Sequence, residues 1–167
     1  DACEVVNRLE ALGVDVVELS GGSYEAPAMQ GQTRDDTTLA REAYFLEFAQ
    51  ALVSKTDIPL MTTGGIKRAE VAEEVIEQGC ALVGLASALA ITPDLAKKWQ
   101  QEWAYSGIIP HCSWKDKSLA SLANMAMVRR QLRRLGNNLT TLRNPSPLWS
   151  LILDMLHRKK MTKRDVG

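Results

Sequence analysis

The chain has 167 residues, of which 46% are hydrophobic and 24% charged, and its 20 Lys and Arg balance 20 Asp and Glu. This composition is typical of a globular α/β protein, and no uninterrupted apolar run approaches the roughly 18 residues that a membrane-spanning helix needs. The three cysteines lack CxxC spacing and are an odd number, which argues against a disulfide framework and a zinc site. We therefore expect a cytoplasmic protein without a metal.

The charges are unevenly distributed along the chain. Residues 1–100 carry 8 Lys and Arg against 16 Asp and Glu, whereas residues 101–167 carry 12 against 4. This asymmetry indicates two differently built parts. We predict a first domain over residues 1–100 and a C-terminal helical extension with a basic tail over residues 101–167.

The first domain opens with a helix and a short strand. Asp1 to Leu12 predicts a helix because Val5, Leu9 and Leu12 share one face. Val14 to Leu19 is apolar enough to predict a strand, and it ends at a serine followed by two glycines.

The loop after this strand, Gly21 to Leu39, is long and polar. Tyr24 and Glu25 begin it, at the end of the strand where loops of barrel enzymes meet their substrates. We therefore single out Tyr24 and Glu25 as candidate substrate-rim residues, and a plain surface loop is an equally open interpretation.

The stretch from Ile58 to Ala90 contains two further strands joined by a helix. Ile58 to Thr63 is largely apolar or β-branched, and Lys67 to Gln78 shows apolar residues at helical spacing. Cys80 to Leu85 is nearly continuous in apolar character, as in a strand buried on both faces. A helix between two such runs predicts parallel strands joined by a right-handed crossover.

Both of these strands end in glycine. Gly64 and Gly65 follow the first, and Gly84 lies near the end of the second. Such turns can present backbone N–H groups to a phosphate, and a short helix starting near Ser87 could add its positive end. The alternative is that the glycines serve only tight turns and close packing. Their occurrence at two neighbouring strand ends favours a ligand.

The C-terminal part is helical. Ser118 to Leu135 carries apolar residues at spacings of three and four, and four arginines between Arg129 and Arg134 are expected to stabilise the helix end and to be solvated. Pro147 to His157 predicts a second helix. The tail from His157 to Arg164 is basic, but no nucleic-acid motif accompanies it, so we expect a solvated terminus. His111 and His157 lie away from the strand ends and are expected to be structural or exposed.

Four segments together resemble the C-terminal part of the old yellow enzyme family, the FMN-dependent NADH:flavin oxidoreductases. They are GVDVVELSGGSYE (Gly13 to Glu25), REAYFLEFAQAL (Arg41 to Leu52), IPLMTTGGI (Ile58 to Ile66) and ALVGLASALAITPDL (Ala81 to Leu95). The resemblance implies the C-terminal part of a (β/α)₈ TIM barrel. Val14 to Leu19, Ile58 to Thr63 and Ala81 to Leu85 would be its strands six, seven and eight.

The resemblance also implies a cofactor site. The backbones at Gly64, Gly65, Gly84, Ala86 and Ser87 would hold the phosphate of FMN. Family members commonly carry arginine where this chain has Ser87. A serine hydroxyl cannot replace the charged fork of an arginine, so another cation would have to supply the charge.

The implied activity is that of an ene-reductase-like oxidoreductase in which NAD(P)H reduces FMN and the flavin reduces an activated alkene or a similar small-molecule acceptor. The family's catalytic residues lie on earlier strands, so we assign none here and expect the 167 residues to be a fragment of a longer barrel protein, inactive alone. No specific nucleic acid and no membrane is an expected partner. A homo-oligomer remains open, as does a non-catalytic half-barrel that dimerises or docks onto a partner.

Overall fold

The computed structural model describes residues 2–20 and 46–165. These fall into two compact units, the first comprising Asp1–Ala86 with Ala96–Ser106 and the second Ser87–Leu95 with Gly107–Gly167. In chain order the elements are α1 Ala2–Ala11, β1 Val17–Leu19, α2 Leu46–Val53, β2 Leu60–Thr62, α3 Ala69–Glu77, β3 Leu82–Val83, α4 Ser87–Ile91, α5 Leu95–Gln101, α6 Lys117–Gly136 and α7 Pro147–Asp165.

The first unit is a mixed α/β structure built on a small parallel sheet. Its strands lie in the order β1-β2-β3, and all pairs are parallel. Leu19 of β1 and Val83 of β3 both pair with Thr62 of β2. The prediction of parallel strands joined by helices is therefore confirmed. The regular strands are two or three residues long, shorter than the predicted apolar runs, although flanking residues such as Ala81 and Gly84 still donate across to β2.

The core of the first unit lies between the sheet and its helices. Leu60 of the central strand is buried together with Val71 and Val75 of α3 and Ala49 and Leu52 of α2. Burying large apolar side chains of this kind stabilises a fold by about 1.5 to 3 kcal/mol each. Their spacing of three and four residues in the helices explains why the sequence predicts them as amphipathic.

Gly79 ends α3 at the position that the sequence predicts for a cap. Its φ is +96°, in the left-handed region, and a Cβ there would lie 2.7 Å from Cγ1 of Val53. Both the backbone conformation and the close approach of α2 therefore require glycine. Cys80 follows and is buried, as expected, and burial raises the pKa of its thiol.

The second unit is helical. Helix α6 packs against both α4 and α7, and its buried face consists mainly of alanines that join Cys112 and Met127 in a small core. Asp116 begins α6 by accepting a hydrogen bond from the backbone N–H of Leu119 at 2.9 Å. Such N-caps are typical helix starts.

Helix α7 is longer than predicted. The sequence predicts Pro147 to His157, whereas the helix continues to Asp165. No glycine or proline interrupts the basic segment, so nothing stops the helix at His157. Residues 157–162 of this segment are exposed, in agreement with a solvated tail. None of the described helices has both the length and the apolar character needed to cross a bilayer.

Candidate functional site

The candidate site lies in the first unit, where β2 and β3 end side by side. Because Thr62 pairs with Val83, Thr63 and Gly84 leave the sheet next to each other. The N–H of Gly84 donates to the carbonyl of Thr62 at 2.8 Å, and the Thr63 hydroxyl donates to the carbonyl of Gly84 at 3.2 Å. These two hydrogen bonds connect the two strand ends and give this edge of the sheet a defined shape.

Gly64 and Gly65 form the turn that follows β2. Their φ angles are +125° and +70°, so both lie in conformations that residues with a Cβ rarely adopt. Both residues are half-buried. Their backbone N–H groups donate to no residue among those that the structure describes. Two consecutive N–H groups without an internal acceptor are what an anion-binding backbone turn provides.

Gly84 is a glycine for a different reason. A Cβ on this residue would lie 2.9 Å from Cβ of Thr63 and 3.1 Å from its hydroxyl oxygen. The close approach of the two strand ends therefore excludes a side chain. Because the N–H of Gly84 already bonds to Thr62, this residue shapes the rim and offers no free donor of its own.

The remaining predicted residues are placed differently. Ala86 is exposed at the end of the first unit, two residues beyond Gly84. Ser87 is half-buried and begins α4, which belongs to the second unit. Tyr24 and Glu25 lie outside the described residues. The structure thus brings together Gly64, Gly65 and Gly84, and these three form the rim.

Two cations lie two and three residues after the glycine turn, and sequence reasoning did not single them out. Lys67 and Arg68 are both half-buried. Arg68 precedes α3 in an extended conformation, and its Nη1 lies 3.3 Å from Oε2 of Glu70. Their position after a Gly-Gly pair was the available signal. They are the described cations nearest in sequence to the turn.

A second charged cluster lies in the second unit and is structural. Asp154 of α7 is buried, and Arg129 donates to it through Nε and Nη2 while Arg133 and Arg158 each donate once more. Burial raises the pKa of this carboxyl, but the hydrogen bonds and charges of Arg129 and Arg133 outweigh it and lower the pKa to about 2. An acid held ionised so firmly is unsuited to proton transfer near neutral pH.

The described residues contain no group of three or more His, Cys, Asp and Glu side chains that could hold a metal ion. His111 and His157 are both exposed, as expected from their sequence positions. Within the described part of the chain, the rim of Gly64, Gly65 and Gly84 is the candidate ligand site that the sequence predicts.

Comparison with curated proteins shows which enzymes this chain is similar to. The chain is 36% identical over 103 residues to the NADH-dependent flavin oxidoreductase iliE of Hypocrea jecorina and 38% identical over 106 residues to the protein of the same name from a Neonectria species. It is also 31% identical over 99 residues to 4,4'-dithiodibutanoate disulfide reductase of Rhodococcus erythropolis. Each match covers 57% or 58% of this chain.

The chain spans only 14% to 26% of the length of these relatives. No family model and no solved structure matches it. The Hypocrea and Neonectria relatives nevertheless carry the flavin oxidoreductase name that the resemblance of the four sequence segments predicts. Over somewhat more than half of its length, the chain is thus similar to curated proteins named NADH-dependent flavin oxidoreductases.

Proposed function

We propose that this chain forms the phosphate-binding part of an FMN-dependent NAD(P)H oxidoreductase. The observation that carries the proposal is the Gly64-Gly65 turn, with both residues at positive φ and with N–H groups that donate to no described residue. The names of the relatives support flavin and NADH as redox partners. Choosing FMN as the flavin rests on the fit between this turn and a terminal phosphate.

The proposed donors at the rim carry no side chains. Neither Gly64 nor Gly65 carries a Cβ, and the glycine at position 84 keeps the neighbouring strand end close. Backbone donors in such a turn approach an anion without side-chain interference. Gly64 and Gly65 would donate to the phosphate oxygens, and Thr63 would hold the adjoining strand end in place through its bond to Gly84.

The charge of the phosphate needs a partner. Ser87 replaces the arginine common in the family and brings no positive charge. Lys67 and Arg68, two and three residues after the turn, are the described cations that we propose for this role. Arg68 lies beside Glu70, with its Nη1 3.3 Å from Oε2 of that residue, so its charge is partly compensated.

FMN, when bound, supplies the hydride-transfer chemistry by which NAD(P)H reduces an activated alkene or a similar acceptor. The contribution of this chain is positional. Its backbone donors would fix the phosphate end of the cofactor and thereby its orientation. The loop with Tyr24 and Glu25 would contribute to the substrate rim, which remains a prediction from the sequence.

The architecture that we propose for the whole enzyme is a (β/α)₈ barrel, with β1, β2 and β3 as its strands six, seven and eight. The parallel order β1-β2-β3 with intervening helices supports this assignment. Three strands cannot close a barrel, and the relatives are about four or more times as long as the stretch they share with this chain. We therefore propose that the site is completed by further strands.

The test is a comparison of FMN with riboflavin, which lacks the phosphate. Flavin fluorescence titrations of the purified protein, in the full length that this proposal requires, should give tighter binding of FMN, and Gly65→Ala should remove most of that preference. Gly13→Ala is the matched control, because Gly13 also has a positive φ, of +74°, but lies away from the rim with nothing within 4 Å of an added Cβ. Equal affinity for the two flavins in the parent protein, or equal losses in the two variants, would refute the phosphate assignment.

A further inference from the structure

The outer face of α7 is apolar and uncovered. Its five large side chains are those of Leu148, Trp149, Ile152, Met155 and Leu156, with 59%, 51%, 38%, 63% and 59% of their surface exposed. A solvated helix normally presents polar residues on its outer side. Contiguous apolar surface of this kind marks an interaction site.

This face points away from α6. Ser150 and Asp154 are buried on the side of α7 where Arg129, Arg130 and Arg133 of α6 bond to them. At about 100° per residue, Ile152 lies about 160° around the helix from both Ser150 and Asp154. The packing of α6 on α7 therefore leaves the apolar face open.

The spacing of the five residues is symmetric about Ile152. Leu148 and Leu156 lie four residues to either side, and Trp149 and Met155 lie three to either side. In an antiparallel pair of α7 helices centred on Ile152, Leu148 meets Leu156, Trp149 meets Met155 and Ile152 meets itself. A two-fold interface requires this self-complementarity, because the same patch must face its own copy.

The charge distribution selects the antiparallel arrangement. Lys159 and Lys160 are exposed just beyond the apolar face. In a parallel pair they would lie beside their own copies. In the antiparallel pair, with 1.5 Å of rise per residue, the two copies of Lys160 lie about 24 Å apart along the axis, well beyond a Debye length of about 8 Å. The repulsion between the basic ends is thereby screened.

The area is sufficient for a specific contact. A large side chain has roughly 200 Å² of surface, and about half of it is exposed in each of the five. The exposed apolar area is therefore on the order of 500 Å² per copy. Two copies together reach on the order of 1,000 Å², which is the lower bound for a specific interface. We propose that the outer face of α7 is a homodimer interface in which two copies of the helix pair antiparallel about Ile152.

The first test is the oligomeric state of the full 167-residue chain, measured by size-exclusion chromatography with light scattering over a concentration series. A dimer is expected, and Ile152→Glu should weaken it by at least about 100-fold, since two buried isoleucines are lost and two carboxylates face each other on the axis. Met161→Glu is the matched control: Met161 is exposed on the same helix but lies outside the paired segment, so its substitution should leave the dimer intact. Circular dichroism shows whether both variants remain folded.

The second test fixes the direction of pairing. Under mild oxidation, Ile152→Cys should form a disulfide with its own copy. Lys159→Cys should not, because residue 159 lies within about 20° of Ile152 around the helix but its two copies are about 21 Å apart along the axis of the antiparallel pair. Cross-linking of both variants would indicate a parallel pair and overturn the proposal. A monomeric parent, or a monomer that binds anionic lipid vesicles through this face, would overturn it as well.

Discussion

Replacing Asp154 with Asn should destabilise the second unit by an amount that depends on pH. Asp154 is 3% exposed, and its pKa is lowered from the ordinary 3.8 to about 2 although burial alone would raise it. Each unit by which the pKa is lowered corresponds to about 1.4 kcal/mol. The ionised carboxylate therefore stabilises the fold by about 2 kcal/mol near neutral pH. The arginines left without their shared acceptor add to the loss in the variant.

The sign follows from the lowered pKa. The folded protein keeps Asp154 ionised at pH values where the unfolded chain would protonate it, so the contribution is complete above about pH 4 and is lost as the pH falls toward about 2. The groups facing Asp154 are Arg129 and Arg133 of α6 and Arg158 of its own helix. Asp154 is therefore the group whose titration the substitution removes.

The assay is urea unfolding followed by far-ultraviolet circular dichroism, for the parent chain and Asp154→Asn, at several pH values between about 6 and about 2. The difference in the free energy of unfolding should be largest near pH 6 and shrink by about 2 kcal/mol at the acid end. Asp116→Asn is the control, because an exposed cap that keeps a hydrogen-bonding side chain should change little. A difference between parent and Asp154→Asn that is independent of pH would refute the reasoning.

Further substitutions test the rim and the helix ends by the same unfolding assay. Gly84→Ala should cost about 1 to 3 kcal/mol, because its Cβ would lie 2.9 Å from Cβ of Thr63; an unchanged stability would mean that the strand ends are not held together as described. Gly136→Ala, with nothing within 4 Å of the new Cβ, should instead stabilise α6 by about 0.5 to 1 kcal/mol, and a loss would contradict its helical conformation. Asp116→Ala should cost about 1 kcal/mol through the lost N-cap, and a neutral result would show that the bond to Leu119 contributes nothing.

Periodicity predicts the elements of the first unit well. Each predicted strand contains an observed one, such as Leu60–Thr62 within Ile58 to Thr63, because a buried parallel strand requires a continuous apolar run whatever surrounds it. The residues at which these strands end are predicted less well. Thr63 lies outside the observed strand, and its hydroxyl donates across to the carbonyl of Gly84. This contact joins segments 21 residues apart and leaves no local signal.

The faces of the C-terminal helices are harder to predict. In α6 the larger apolar residues Leu122, Met125 and Leu132 are about half exposed, while the alanines are buried. Apolar periodicity favours the larger side chains as the core, whereas close packing of α4 and α7 against α6 selects small ones. The arginines from Arg129 to Arg134 were expected to be solvated, but Arg129 and Arg133 bond to Asp154, a partner on another helix that composition does not reveal.

The same distinction applies to the glycines from which the site was predicted. In the sequence, Gly65 and Gly84 look alike, since each follows an apolar run. In the structure Gly65 has a left-handed backbone and an N–H that bonds to no described residue, whereas Gly84 has its N–H paired and is required by the proximity of Thr63. Substitution of Gly84 should therefore act first on stability, and substitution of Gly65 on the preference for FMN over riboflavin. Gly64 and Gly65 thus supply backbone donors to the proposed phosphate site, while Gly84 lets the end of β3 approach Thr63 closely.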